Sequence, residues 1–233
     1  ETGHPVGQIF GYVHDRLFTE DDFKDVENGV LKDGVPKQTF TAKVRPGDIK
    51  YVDLDKNGVI DTYDQMAIGG TENPEIVYGF GVNLRWKDLD FGAMFQGIGR
   101  TWRILSSNIM PASNKGSMYN IFDNYQDRWT VDNQSQDVFY PRADYGPNAN
   151  NSQKSTWWLR NMSFLRLKNL ELGYSCPKKW LQGFVISNAR VFVRGTNLLT
   201  FSKFNLWDPE LATGDGAKYP AMKSVSVGFD ITF

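Results

Sequence analysis

Within the last twelve residues, 222–233, apolar and polar side chains alternate from Ser224 to the end of the chain. The apolar positions are Val225, Val227, Phe229, Ile231 and Phe233. Because successive side chains of a β-strand point to opposite faces, this segment predicts a strand with one apolar face and one small or polar face. Such a strand suits the sheet of a soluble protein. It equally suits a transmembrane β-barrel, whose apolar face meets lipid and whose polar face meets the lumen.

The same alternation runs through residues 76–86 and 89–97. Each of these segments is about ten residues long, which suits a tilted crossing of a membrane by a strand. Only Lys87 and Asp88 separate the two segments. A two-residue connection is the length of a tight β-hairpin turn, so we expect the segments to pair with each other.

Three more segments carry a related pattern. In residues 163–175 the phase of the alternation shifts, so we expect a β-bulge near Lys168 and Asn169, or a strand whose upper part leaves the membrane. Residues 189–200 predict another strand, and residues 6–18 are a weaker candidate. Together with the carboxyl-terminal strand, the sequence therefore predicts six strands.

Composition excludes several classes of protein. The chain has 233 residues and a formal net charge of -1, which does not indicate an electrostatic nucleic-acid binder. No run approaches the ~18 apolar residues that a membrane-spanning helix needs. A barrel remains open, since alternating strands hide half of their residues from a hydropathy average. Cys176 is the single cysteine, so an internal disulfide bond is impossible, and we expect an unreactive thiol.

The connections between the predicted strands alternate between short and long. Short turns occupy 87–88 and 176–188, and we expect the long segments 19–75, 98–162 and 201–221 to be external loops. This is the arrangement of outer-membrane barrels, in which the short turns are periplasmic. Six strands are fewer than the roughly eight of the smallest such barrels. We therefore predict an all-β fold in which residues 1–233 are the carboxyl-terminal strands of a larger antiparallel transmembrane β-barrel with long extracellular loops.

The order of these segments resembles the carboxyl-terminal part of the SusC/RagA family of TonB-dependent outer-membrane transporters. The matching stretches include RPGDIKYVDLDKNGVIDTYDQ at 45–65 and SFLRLKNLELGYSCPKKWL at 163–181. The complete set of matching stretches is 3–18, 45–97, 163–181, 189–210 and 219–233. The stretches that match poorly, 19–44 and 98–150, fall inside predicted external loops.

The resemblance implies import of oligomeric nutrients, glycans or peptides, across the bacterial outer membrane, by binding and passage. In this family a SusD-like surface lipoprotein caps the barrel, and TonB supplies energy. The resemblance also implies that the remaining barrel and plug segments complete a barrel of about 22 strands. The family's plug domain and TonB-contacting box lie on the amino-terminal side, and neither is found in this sequence.

The sharpest chemical motif is DLDKNGVIDTYD at 53–64. Its spacing follows an EF-hand loop, with oxygen ligands at positions 1, 3, 5, 7, 9 and 12 and a glycine, Gly58, at position 6. The predicted ligands are Asp53, Asp55, Asn57, the Val59 carbonyl, Asp61 and Asp64. The loop departs from the pattern because position 12 is Asp rather than Glu. The sequence leaves open a Ca²⁺ site or an Asx-rich turn held by its own side chains.

Aromatic residues supply a second set of candidates. Trp157 and Trp158 could stack on sugar rings, although their position before a predicted strand favours an interfacial aromatic girdle. Tyr119, Tyr125 and Trp129 lie in the long segment 98–162 and could contact substrate or the lipoprotein lid. Their helical spacing favours a small amphipathic helix that packs its own loop.

Charged candidates lie on the predicted polar face of the strands. Arg85, Arg190 and Arg194 could line the lumen and favour polar or anionic solutes, or they could pair with carboxylates of the plug. The histidines, His4 and His14, have no nucleophile or third partner at a readable spacing, so we expect surface positions.

Two other classes of function compete with the importer. A secreted, soluble β-sandwich that binds carbohydrate and is stapled by Ca²⁺ would share the alternation, the aromatics and the Asp-rich loop, but it would bury its apolar strand faces. An enzyme has the least support, because the sequence contains no metal-hydrolase, nucleophile-elbow or phosphate-loop motif.

Overall fold

The regular structure of the described residues consists of β-strands, as the all-β prediction expected, together with short 3-10 helices. The computed structural model describes residues 2–106, 122–144, 146, 148–183 and 185–233. None of the helices found in those ranges has the length and apolar character to cross a membrane. The chain divides into two compact units, of which unit 1 contains Glu1–Glu72 and Arg103–Arg160. Unit 2 contains Asn73–Trp102 and Asn161–Phe233.

Unit 2 is organised around a five-stranded antiparallel sheet. Its strands in chain order are β1 (Ile76–Trp86), β2 (Leu89–Gly99), β3 (Phe164–Ser175), β4 (Asn188–Ser202) and β5 (Ser224–Thr232). In the sheet, the order of hydrogen-bonded neighbours is β5-β4-β3-β2-β1. The carboxyl-terminal alternating segment is therefore an edge strand, as is β1. Two 3-10 helices, Lys178–Trp180 and Pro209–Leu211, also belong to this unit.

Two local features of this sheet follow the sequence pattern. Trp86 pairs directly with Leu89, so Lys87 and Asp88 form the predicted two-residue hairpin, and Lys87 has the positive φ of 56° that such a turn requires. Leu167 of β3 pairs with Phe95 of β2, and Asn169 pairs with the adjacent Met94, so Lys168 is the extra residue of the predicted bulge. The bulge explains the phase shift, because it returns Leu170 and the residues after it to the apolar face.

One face of the sheet is apolar across all five strands. Residues directly opposite each other in register lie on the same face. One such row crosses the sheet from β1 to β5 and consists of Leu84, Phe91, Leu172, Val193 and Val227. The neighbouring row on the opposite face consists of Asn83, Gly92, Glu171, Arg194 and Ser226. The alternation of each strand thus adds up to two chemically distinct faces.

The apolar face is exposed. On the edge strand β5, Val227 is 62% exposed and Phe229 is 69% exposed. Leu84 on β1 and Leu172 on β3 are 60% and 54% exposed. A soluble β-sandwich would bury these side chains against a second sheet, so the structure does not favour that alternative.

Unit 1 is held together by short strand pairs. Gln8–Tyr12 pairs with Gln65–Thr71, and His14–Leu17 pairs with Ile49–Tyr51, both antiparallel. The remaining pairs are Phe23–Asp25 with Val30–Leu31, antiparallel, and Lys37–Gln38 with Val59–Ile60, parallel. The 3-10 helices are Glu20–Asp22, Thr62–Asp64 and Asp123–Gln126. Two further short strands, Trp102–Ile104 and Leu159–Asn161, pair with each other.

Residues 6–18, predicted as a strand of the barrel, instead form the two short strands Gln8–Tyr12 and His14–Leu17 of unit 1. The backbone at Gly11 and Tyr12 packs directly against the backbone of Lys154. A Cβ atom at Gly11 would collide with the Lys154 carbonyl oxygen, and the Tyr12 amide donates a 2.9 Å hydrogen bond to that oxygen. Tyr12 and Leu17 are buried. This segment therefore packs the interior of unit 1, which its weak alternation did not distinguish from a longer strand.

Candidate functional site

A cluster of ion pairs lies on the polar face of the five-stranded sheet. Arg190 on β4 donates hydrogen bonds to Asp90 at 2.5 and 3.0 Å, to Glu171 at 2.5 Å and to Asp230 at 3.2 Å. Arg194, four residues further along β4 on the same face, donates to the other oxygen of Glu171 at 2.6 Å. We call these five residues the ion-pair strip. It links β2, β3, β4 and β5 across the sheet.

Small residues make room for the ion-pair strip. A Cβ atom at Gly173 would collide with the Arg190 guanidinium and the Asp90 carboxylate, so only glycine lets these groups meet above β3. A Cβ atom at Gly228 would collide with the ring of Phe192. The guanidinium carbons of Arg190 and Arg194 lie 4.9 and 5.3 Å from the centre of that ring, one on each side along the strand.

Arg85 occupies the same face, on β1 and directly opposite Asp90 in register. Among the described residues, no side chain forms a hydrogen bond or an ion pair with its guanidinium. The three arginines predicted to line the lumen therefore differ in state. Arg190 and Arg194 are neutralised by the sheet's own carboxylates, whereas Arg85 keeps its donors available. The lining role itself stays a prediction.

The Asp-rich loop brings three of its predicted ligands together. Oxygen atoms of Asp53, Asp55 and Asp64 lie within 4.8 Å of one another. Asp61 is used differently, because its side chain accepts a hydrogen bond from the Tyr63 amide at 2.8 Å and caps the 3-10 helix Thr62–Asp64. The structure thus forms part of the ligand set that the EF-hand spacing predicts.

The loop is also held by its own hydrogen bonds. Asp53 accepts from the Gly58 amide at 2.8 Å, and Asn57 accepts from the Val59 amide at 2.8 Å. Asp64, which is fully buried, accepts from the amides of Leu54 and Asp61 at 2.7 and 2.9 Å. The turn therefore has an internal scaffold. The donor chemistry of its three converging carboxylates is what a hard cation such as Ca²⁺ requires.

The aromatic candidates pack inside unit 1. Trp157 and Trp158 are 8% and 1% exposed, and their indole nitrogens donate to the carbonyls of Phe139 and Asn151 at 3.2 and 2.7 Å. They form neither an exposed sugar platform nor a girdle on the apolar face of the sheet, because the polypeptide around them covers both rings. The sequence could not distinguish burial from a place in an interfacial girdle, since tryptophans of both kinds occur next to the end of a strand.

The other aromatic candidates are split between packing and surface. Trp129 is buried, and its ring lies directly against Gly47, where a Cβ atom would collide with it. Tyr125 belongs to the 3-10 helix Asp123–Gln126, and the Arg128 guanidinium lies 4.4 Å from its ring centre. Tyr119 lies outside the described residues. The packing interpretation therefore holds for Trp129, and a substrate or lid contact for these residues stays a prediction.

His14, predicted as a surface histidine, is half-buried. Its Nδ1 atom lies 2.6 Å from the Thr156 hydroxyl, and its ring meets Trp157 edge to face at 5.3 Å. Burial lowers the pKa of His14 from its ordinary value of 6.5; the Asp15 carboxylate acts in the opposite direction and the Arg160 guanidinium in the same direction.

A buried polar cluster that the sequence did not reveal organises unit 1. Asp48 is fully buried and accepts hydrogen bonds from the Arg142 guanidinium at 3.1 and 3.3 Å. It also accepts one from the side-chain amide of Asn148 and one from that of Asn151, at 3.0 Å each. Asn151 in turn accepts from the Ile49 amide at 2.9 Å. These contacts join segments about a hundred residues apart. No spacing rule connects residues so distant, so the sequence carried no local signal for this cluster.

A second unpredicted cluster lies in unit 2. Arg166 on β3, which is 2% exposed, donates to Asp208 and, at 2.6 Å, to Glu210. Lys168, the bulge residue, donates to Glu210 at 2.9 Å. These contacts fix the 3-10 helix Pro209–Leu211. The sequence signal that could have indicated this cluster was Arg166 on the polar face of a strand, together with Asp208 and Glu210 on either side of a proline.

Comparison with known proteins gives a consistent result. The chain is 32% identical to TonB-dependent receptor P26 of Formosa agariphila over 202 residues, which is 80% of this chain and 20% of that protein. It is 27% identical to TonB-dependent receptor P3 of the same organism over 99% of its length, and 24% identical to TonB-dependent receptor SusC of Bacteroides thetaiotaomicron over 85%. It covers 22% and 19% of those two proteins. The chain thus spans about a fifth of the length of the relatives it matches. No family model matches the sequence.

The fold gives the same result. A solved structure of the RagAB peptide importer in its open-open state superposes with a TM-score of 0.67 at 25% identity, over 97% of this chain and 22% of that chain. A second structure of the RagAB peptide transporter gives a TM-score of 0.65 at 28% identity, with the same coverage. The relatives are transporters and receptors rather than enzymes.

Proposed function

We propose that this chain, which is similar to TonB-dependent receptors over most of its length and superposes on the RagAB peptide importer, is a barrel segment of a SusC/RagA-type receptor and forms part of an outer-membrane importer of oligomeric nutrients. The imported oligomers are glycans or peptides, and import proceeds by binding and passage, with energy from TonB. The residues of this chain supply wall and binding surface rather than covalent chemistry.

One observation carries this proposal: the five-stranded sheet has an exposed apolar face and an ion-paired polar face. In water, such a large exposed apolar face would be a site of aggregation or association. In an outer membrane it is the surface that faces lipid, while the polar face borders the lumen. The edge strands β1 and β5 provide the backbone groups to which the remaining barrel strands would pair, since open edges are costly in lipid.

The proposal predicts which side chains contact lipid. Single cysteines carrying a nitroxide label would replace Val225, Val227 and Phe229 on one face and Ser224, Ser226 and Asp230 on the other, in a Cys176→Ser background. In reconstituted bilayers, labels on the first set should be relaxed preferentially by oxygen, and labels on the second set by a water-soluble nickel complex. Equal access of the nickel complex to both sets would contradict the membrane assignment.

We propose a SusD-like surface lipoprotein, TonB, and the remaining barrel and plug segments as the partners of this chain. RagAB, with which the chain shares its fold, is described as a peptide importer. Affinity purification from the outer membrane in mild detergent should recover a surface lipoprotein with the full receptor. Its reproducible absence, while the receptor itself is intact, would contradict this part of the proposal.

We also propose that the Asp-rich loop binds Ca²⁺ through Asp53, Asp55 and Asp64, with Asn57 and the Val59 carbonyl available nearby. The convergence of three carboxylates supports it. The role would be structural, because the bound ion would relieve the mutual repulsion of these charges and order the loop.

Titration calorimetry with Ca²⁺ on the purified protein tests this second proposal. The wild type should release or absorb heat with saturating behaviour, and the double variant Asp53→Asn with Asp55→Asn should lose it. Asp132→Asn, an exposed acidic position of the same unit, serves as the control and should bind as the wild type does. Absence of saturable heat in the wild type would refute the site.

A further inference from the structure

Unit 1 contains an open pocket that none of the contacts described so far explains. Its volume is about 460 Å³, within the range of small-ligand sites. Three arginines, Arg45, Arg128 and Arg142, contribute to its lining, together with Trp129 and Val131. Val131 is 75% exposed, so an apolar surface stands open beside the cationic groups.

The three arginines of this pocket are not equivalent. Arg142 is saturated: it donates to Asp48, to the Ala143 carbonyl at 3.4 Å and to Asp144 at 2.8 Å. It therefore contributes a neutralised wall. Its donors are used to hold Asp48 and Asp144.

Arg45 and Arg128 keep hydrogen-bond donors available. The guanidinium of Arg45 has no hydrogen-bond or ion-pair partner among the described residues, and the side chain is exposed. Arg128 is oriented by the Tyr125 ring, 4.4 Å away, and by two Nη1 hydrogen bonds, of 3.0 Å to the Tyr125 carbonyl and of 3.5 Å to the side-chain oxygen of Gln126. That arrangement fixes the guanidinium plane while its second terminal nitrogen stays unpaired within the described part of the chain.

The charge of the lining selects the ligand. Arg45 and Arg128 contribute two positive charges, and Glu20 is the one carboxylate in the described lining. The excess of one positive charge complements a single carboxylate better than a doubly charged phosphate ester. A guanidinium fork also matches a carboxylate in geometry.

We propose that this pocket is a subsite that binds a carboxylate group carried by an oligomer, with Arg45 and Arg128 as its ligands and the surface of Val131 and Trp129 as the wall for the adjoining apolar part. The carboxylate is the end of a peptide or the acid group of a uronic sugar. The inference rests on the proposed import function only for the identity of the oligomer that carries the carboxylate. Binding of the carboxylate can be measured on the purified protein without import.

Calorimetry on the detergent-purified protein tests the subsite with four probes. One pair is an N-acetylated dipeptide with a free carboxylate and the same dipeptide as a carboxamide. The other pair is a glucuronate-terminated disaccharide and its methyl ester. The free acid of at least one pair should bind, and its neutral partner should bind at least about tenfold more weakly, because a hydrogen bond to a charged group contributes that much. The pair that responds identifies the source.

Two variants sharpen the test. Arg45→Gln and Arg128→Gln should each weaken binding of the responding acid about tenfold, while Lys154→Gln, an exposed cation of unit 1 away from the pocket, should leave it unchanged. Equal binding of acid and neutral probe by the wild type, binding of neither acid, or equal affinity in all three variants would overturn the proposal.

Cellular uptake separates this inference from the proposed function. If Arg45→Gln and Arg128→Gln weaken binding in the calorimeter, and uptake by cells requires the receptor, both the subsite and the import function hold. If binding is absent but uptake still depends on the receptor, the subsite fails and the import function stands. If binding follows the predicted pattern but no oligomer is imported, the subsite stands and the import function fails.

Discussion

Arg190 reaches Asp90 across the bare backbone of Gly173, forming two hydrogen bonds of 2.5 and 3.0 Å between residues 100 positions apart in the sequence. The guanidinium and the carboxylate belong to strands β4 and β2, which are not neighbours, and the strand between them must be free of a side chain where they meet. The pair therefore acts as a clamp over three strands. It adds a side-chain link between strands on the face of the sheet where charged residues replace apolar packing.

Gly173→Ala should break this clamp. The added methyl group collides with both charged groups, so the hydrogen bonds to Asp90 must be lost or displaced. We expect the free energy of unfolding of the purified protein to fall by about 1–3 kcal/mol, the cost of losing charged hydrogen bonds. Gly79→Ala on the same face is the matched control, since its new Cβ would meet only a carbonyl oxygen at 3.4 Å. An equal loss in both variants would show that glycine flexibility, rather than the clamp, matters.

Arg166 should anchor the 3-10 helix Pro209–Leu211 more strongly than Lys168 does. Arg166 is 2% exposed and holds two carboxylates, so Arg166→Met leaves Asp208 and Glu210 without their buried partner and should cost about 3–5 kcal/mol. Lys168 is 24% exposed and pairs with Glu210 alone, so Lys168→Met should cost less than about 1 kcal/mol.

Hydrogen exchange measures this difference locally. Amides of residues 204–212 should lose protection in Arg166→Met and keep most of it in Lys168→Met. Similar protection in the two variants would mean that the helix is held by its apolar contacts, such as the edge-to-face pair of Phe204 and Trp207 at 4.9 Å.

The sequence predicted those parts of the fold that local pattern determines. The hairpin at Lys87 and Asp88 follows from the length of the connection, and the bulge at Lys168 follows from the phase of the alternating residues, because both are encoded within a dozen positions. The two faces of the sheet follow from the same alternation. The resemblance to a known family supplied the remaining context, since five strands alone do not specify a closed structure.

The interior contacts of unit 1 could not be predicted from the sequence, for a physical reason. Its interior is built from contacts between distant segments, such as Asp48 with Arg142 and His14 with Thr156, and no periodic pattern marks their partners. Trp157 and Trp158 illustrate the consequence, because their burial depends on residues far away in the chain. The convergence of Asp53, Asp55 and Asp64 was easier to predict, since the loop is short and its hydrogen bonds are local; metal binding by these residues stays a prediction.

His14 should make unit 1 sensitive to mild acid. Burial lowers the pKa of His14 in the folded state below its ordinary value of 6.5, so the unfolded state binds more protons at mildly acidic pH. The stability that the neutral imidazole contributes is present above pH 6.5 and is lost as the pH falls from there toward the lowered pKa. We expect His14 to lower the melting temperature at pH 5 relative to pH 7.5, whereas burial of Asp48, which raises the pKa of that carboxyl, acts in the opposite direction.

The substitution His14→Gln should reduce this difference, because glutamine cannot gain a proton. His4→Gln, at an exposed position, should leave it intact. Asp22 does not titrate in this pH window. Burial raises the pKa of Asp22, but hydrogen bonds from Arg16, the Thr19 amide and Lys50 lower it further, so the net pKa lies below the ordinary 3.8. If His14→Gln shows the same pH dependence as the wild type, another group is responsible.

The buried pair of Asp48 and Arg142 should be the most sensitive point of unit 1. Asp48→Asn removes the negative charge that faces the guanidinium and one buried acceptor oxygen, while Arg142 keeps Asp144 as a partner, so we expect a cost of about 1–3 kcal/mol. Asp144→Asn removes a more exposed carboxylate, 37% exposed, from the same guanidinium and should cost less than about 1 kcal/mol. The double variant Asp48→Asn with Arg142→Met should lose less stability than the sum of the two single variants, because both changes remove the same ion pair. Strictly additive losses in denaturant unfolding would show that the two residues stabilise unit 1 independently, through packing rather than through their ion pair.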